Sequence, residues 1–153
     1  EGGGALGGVY KLVRFDDQPR LKITSDSTKA TLPDHKSLLR LIGANGRFVQ
    51  DVICRAGETI QVGDVVYDPL NPARHKKVPE GVRCIDLRKV VMDKGEIVSE
   101  LPDLPTCADH CAEQLRCLPE GSLRLYNPHI YKVSISAALQ ELRDGLVQAH
   151  EVP

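Results

Sequence analysis

The sequence predicts an α+β fold: a sheet rich in β-hairpins, an amphipathic helix near 106–118 and a second helix at the C-terminal end. Asn45-Gly46 stands between two alternating apolar runs, which is the strongest short-range hairpin signal. Asp93-Lys94-Gly95 repeats the arrangement further along. The hairpins come before the helices, without the strand–helix alternation of a doubly wound sheet.

Taken in order, Val9, Lys11, Val13 and Phe15 alternate with Tyr10, Leu12 and Arg14, which predicts a strand over 8–15 with apolar groups on both faces. Asp16-Asp17-Gln18-Pro19 reads as a turn, and 20–24 as a second strand with Leu21 and Ile23 on one side, Arg20 and Lys22 on the other. Ser25 and Asp26 suit the cap of a single helical turn over 25–30, and Pro33 follows it. Residues 37–43 and 47–54 are the arms of the Asn-Gly hairpin. Between 55 and 81 the chain is rich in Gly, Pro and Asp, with a short apolar piece at 62–67 and a polar, basic loop at 71–77.

Residues 82–92 alternate, with Val82, Cys84, Leu87, Val90 and Met92 expected inward, and 96–99 complete a second hairpin. Thr106 is placed to cap a helix, with Asp109 in the capping-box position and Cys107, Ala108, Cys111, Leu115 and Leu118 as its apolar stripe. The final elements are a strand at 130–135 and a helix at 136–150 capped by Ser136. That helix carries Leu139, Leu142, Leu146 and Val147 opposite Gln140, Arg143, Asp144 and Gln148.

A chain of 153 residues, 41% of them hydrophobic, is long enough for one domain with its own core. Two Phe, four Tyr and no Trp make that core one of Leu, Val and Ile. Twenty basic against 21 acidic residues give a net charge of −1, so composition offers no bulk attraction to nucleic acid or to a membrane surface. No apolar run approaches the roughly 18 residues of a membrane span, and no secretion signal opens the chain. The expectation is a soluble, cytoplasmic chain. A start at Glu1 in a Gly-rich run, without Met, reads as a cut or processed piece. Five cysteines at irregular spacing favour reduced thiols over a disulfide framework.

Three groups of residues invite a chemical reading. Cys107 and Cys111 stand at i, i+4, with Cys117 or Cys84 able to complete a zinc tetrahedron and His110 close by, but a buried helix face is the ordinary place for such thiols. The glycines at 2–4, 7 and 8 precede a strand rather than a helix, so they match neither a dinucleotide fingerprint nor a Walker loop and read as a linker. Arg20, Lys22, Lys29, His35, Lys36 and Arg40 offer a basic patch for a phosphate-bearing ligand, against the plainer reading of a solvated face. His75 and His129 have no Ser or Cys partner in a recognisable motif. No catalytic, cofactor-binding or metal-ligating residue is assigned.

The run Gly7-Gly8-Val9-Tyr10-Lys11-Leu12-Val13, then Pro19-Arg20-Leu21-Lys22, then Thr31-Leu32-Pro33 before a basic strand, resembles the C-terminal part of nicotinate phosphoribosyltransferases. The likeness is densest over 5–54 and returns in 123–146. It implies a partial domain of a larger α/β-barrel enzyme. That enzyme condenses nicotinate with phosphoribosyl diphosphate to nicotinate mononucleotide, with ATP hydrolysis and Mg, in NAD salvage. The resemblance implies residues 1–7 as a linker from an upstream barrel and 8–153 as the C-terminal domain, partnered by the N-terminal and barrel portion of the same enzyme. It further implies a homodimer at full length. The catalytic groups would lie upstream, so this stretch alone is expected to be inactive, to bind no cofactor and to expose apolar strand surface. Two other readings are a free-standing β-rich interaction module and a small zinc-binding regulator using Cys107, Cys111 and Cys117.

Overall fold

The computed structural model describes residues 7, 10–24 and 30–151. The glycines at 2–4, Gly8, Val9, Lys29 and nearly all of the helical turn expected over 25–30 lie outside the described residues.

The fold is built on the Asn-Gly hairpin. Two short strands come first, β1 (Arg14–Phe15) and β2 (Gln18–Pro19), and then β3 (Lys36–Gly43) and β4 (Phe48–Arg55) pair antiparallel, Leu38 opposite Ile53 and Arg40 opposite Asp51. Gly46 in the turn has φ of +76°, a conformation that L side chains resist. Next come β5 (Val65–Asp68), β6 (Asn71–Lys77) and β7 (Val82–Asp86). A separate ribbon, β8 (Met92–Asp93) with β9 (Glu96–Ile97), precedes α1 (Leu104–Arg116). The chain ends in β10 (Val133–Ser136) and α2 (Ala137–Glu151).

Six strands form one mixed sheet in the order β6-β5-β10-β4-β3-β7. β10 enters between strands made much earlier, parallel to β4 and antiparallel to β5. Leu41, Val52, Val66 and Val78 form a buried cluster, with Val49, Ile60 and Val82 packed against it. Helix α2 lies on β4, β5 and β10. Ser136 caps it as the sequence predicts, its Oγ accepting from the Leu139 amide at 3.2 Å. Leu139 is fully buried and Leu142, Leu146 and Val147 are half-buried. Gln140, expected in water, is buried instead, and its amide donates to both Asp144 oxygens at 2.8 Å.

Several expectations need correction. The strand expected over 8–15 is a ladder only at β1, which pairs with β2 across Asp16-Asp17, both with φ between +50° and +56°. Residues 20–24 join no sheet. Tyr10, Leu12 and Phe15 stand in water because no element among the described residues covers them. The basic loop at 71–77 is strand β6, hydrogen-bonded to β5, and Asp68 Oδ1 closes the turn by accepting from the Leu70 amide at 2.9 Å. Cys84, Val90 and Met92 point outward, because β7 is an edge strand and the chain leaves the sheet after Asp86. Asp103, not Thr106, caps α1, accepting from the Thr106 amide at 2.9 Å, and Pro105 sits in the first turn, where a missing N–H is harmless.

Candidate functional site

Of the six basic residues expected to form one patch, Lys29 lies outside the described residues and the other five do not gather. Lys36 turns its ammonium into the carbonyls of Leu32, Pro33 and Asp34, and burial lowers its pKa. Arg20 donates to its neighbour's carbonyl, Pro19 O. Lys22 and His35 are exposed, and Arg40 is committed to the opposite strand.

Two polar centres take the patch's place. The first is Asp34, almost fully buried with φ of +65°, which an Asp tolerates by accepting from the next amide, here His35 at 2.9 Å. Arg14 donates to it at 2.6 Å and Arg55 at 3.3 Å. Burial alone would raise this carboxyl, but Arg14, the His35 amide and Arg55 outweigh it and hold the group below the ordinary carboxylate range. A cavity of about 560 Å³ opens beside it, lined by Arg14, Asp17, Asp34, His35, Arg55 and Glu58. Glu58 accepts from the Arg55 amide at 2.9 Å and from Ser136 Oγ at 2.8 Å, tying the end of β4 to the start of α2. The carboxylates here are each engaged, so the cluster works as a brace that holds the N-terminal segment on the sheet.

The second centre is Arg40. Its guanidinium grips Asp51 through Nε and Nη2, both at 2.8 Å, lies 4.2 Å from the Phe48 ring centroid and donates to Gln114 at 2.9 Å. The Asp51 bond comes first in raising the arginine's pKa. Tyr131 donates its hydroxyl to the same carboxylate at 2.9 Å, and burial followed by that bond raises the phenol. β3 and the approach to β10 thus meet on the Asp51 carboxylate of β4, and α1 joins them through the Arg40 guanidinium. The sequence held part of a signal for this: Arg40 and Asp51 stand equally far from the Asn45-Gly46 turn, and a register shift between Leu41 and Ile42 completes their pairing.

Cys107 and Cys111 lie on α1 in water, not on a buried face, since no residue of that helix is buried. Leu118, expected on its stripe, falls beyond its end. Among the described residues no three His, Cys, Asp or Glu side chains are grouped as a metal would need. Cys54 alone of the five thiols is buried, and burial first, then Glu58, pushes its pKa up to about 11.

Among the described residues, helix α1 is held only near its C-terminal end. Phe48 donates its amide to Cys117 O at 2.8 Å, and Arg47 reaches Leu118 O at 2.9 Å. Leu104 is 82% exposed, and Leu125, Tyr126 and Ile130 lie open beyond the helix.

Residues 35–143 match the family model described as the nicotinate phosphoribosyltransferase C-terminal domain. The chain belongs to this family. The nicotinate phosphoribosyltransferase of Dictyostelium discoideum is 34% identical over 145 residues, covering 88% of this chain and 24% of that protein. That of Bos taurus is 34% identical over 143 residues, covering 93% and 27%. The crystal structure of human nicotinic acid phosphoribosyltransferase superposes with a TM-score of 0.72 at 30% identity, over 94% of this chain and 27% of that one. The chain therefore spans about a quarter of the length of these nicotinate phosphoribosyltransferases. Among the described residues no helix is long and apolar enough to cross a membrane.

Proposed function

We propose that this chain serves as the C-terminal, structural domain of an enzyme that condenses nicotinate with phosphoribosyl diphosphate to give nicotinate mononucleotide, with ATP and Mg used elsewhere in the enzyme. The observation that carries the reading is the likeness, over 94% of this chain, to one quarter of the human enzyme. The open apolar side chains support it. Tyr10, Leu12, Phe15 and Leu104 each stand exposed, as side chains do that a larger body would cover. In this reading residues 1–7 are the linker, 8–153 the domain, and the full-length enzyme a homodimer. The test is nicotinate mononucleotide formation from nicotinate, phosphoribosyl diphosphate, ATP and magnesium, assayed with this chain and with the full-length protein that carries it. Activity in the longer protein alone is expected. Turnover by the short chain would overturn the assignment of a structural role, and inactivity of both would overturn the enzyme reading.

A further inference from the structure

We propose that a groove beside β10 binds a phosphorylated small molecule with an apolar body. The groove, about 680 Å³, lies between the β5–β6 turn and the chain entering β10, and its walls include Leu70, Arg74, Lys76, Ile130, Lys132 and Val133. This inference is independent of the proposed function, because it stands on the groove's own charges.

Three cations face this space, and the acid in its wall, Asp68, is already taken by the turn amides of Leu70 and Asn71 at 2.9 and 3.3 Å. Tyr131, also in the wall, gives its hydroxyl to Asp51. Among the described residues no carboxylate lies within 4.0 Å of Arg74, Lys76 or Lys132. Arg14, Arg40, Arg47, Arg55 and Arg88, by contrast, each pair with an acid. Lys76 and Lys132 share the groove wall, and burial followed by the charge of Lys132 lowers Lys76. Two ammonium groups held together in a partly desolvated groove repel in the free protein and attract a dianion strongly. A phosphate monoester supplies two charges and three acceptor oxygens, where a carboxylate supplies one charge. Ile130, 92% exposed, with Leu70 at 65% and Val133 at 42%, adds an apolar wall beside the cations. Cations and apolar side chains lining one groove suit a ligand that carries a phosphate on an apolar body.

The test is calorimetric titration of the chain at low ionic strength with phenyl phosphate, inorganic phosphate and phenol. Phenyl phosphate is expected to bind about tenfold more tightly than inorganic phosphate, and phenol not at all below about 10 mM. Lys76→Gln and Lys132→Gln should each weaken phenyl phosphate about tenfold, with Lys89→Gln, outside the groove, unchanged. In thermal unfolding, Lys132→Gln should leave the free chain as stable as the parent or more so, while abolishing the gain that phenyl phosphate gives the parent. A merely structural lysine would show the opposite sign in the free chain. Absence of saturable phenyl phosphate binding, equal weakening by Lys89→Gln, or equal affinity for the two phosphates would overturn the proposal.

Discussion

The β3–β4 hairpin and helix α1 are both amphipathic by sequence, yet only the hairpin's apolar side chains are out of water. Leu41 and Val52 are fully buried, and the polar groups around them are answered within the chain, Arg40 by Asp51 and Asp51 by Tyr131. On α1 no residue is buried, and the helix stands on the sheet by hydrogen bonds at its C-terminal end. An apolar stripe therefore announces that a face will be covered, not by what. In the hairpin the cover lies in the same 153 residues, and α1 finds none among the described residues.

The largest effect expected from this contrast is in thiol chemistry. Cys107 and Cys111 should react with a thiol reagent roughly a thousandfold faster than Cys54 in the native chain, since Cys54 is buried and its thiolate disfavoured. Comparable rates, read by mass spectrometry of quenched samples, would dissolve the distinction. Next, Asp51→Ala leaves the Arg40 guanidinium beside Phe48 without its carboxylate and should lower unfolding stability by about 3 kcal/mol in urea titrations.

A smaller loss, about 1–2 kcal/mol, is expected for Asp34→Asn, because its arginine partners are partly exposed. The parent carboxyl is depressed in the folded chain. Its contribution is therefore complete above the unfolded value near pH 4 and fades as pH falls through the folded one. The difference in stability between parent and variant should shrink on acidification, and a difference independent of pH would refute the brace. Smallest of all, Leu104→Ser and Leu115→Ser should change the stability of this chain by less than about 0.5 kcal/mol in urea titrations. A loss as large as that of Asp51→Ala would mean that α1 is packed after all.

What the sequence disclosed follows the same division. The Asn45-Gly46 turn and the alternation beside it are local, so strands expected at 37–43 and 47–54 appear at Lys36–Gly43 and Phe48–Arg55. Ser136 and the stripe after it were equally legible in α2. Strand β6 was hidden because it is an edge: with one side in solvent its residues can be Asn, Arg, His and Lys, and lysines on an edge discourage pairing with another chain. The Asp34 cluster was hidden for a different reason. Arg14, Asp34 and Arg55 are about twenty residues apart in turn, and no period or motif links them until the sheet is formed. The missing burial of α1 could not be read at all, since composition reports what a helix can bury and not whether a partner is present.

The place of β10 has a consequence for the order in which the fold is made. As the chain leaves a ribosome, β3, β4 and β7 can pair early, and β5 with β6 likewise, but these two sheets have no edge in common. They become one only when Val133–Ser136 slides between β4 and β5, with α2 directly behind it. Synthesis as far as residue 132 therefore leaves two open-edged pieces, and Val133–Ser136 closes both in one step.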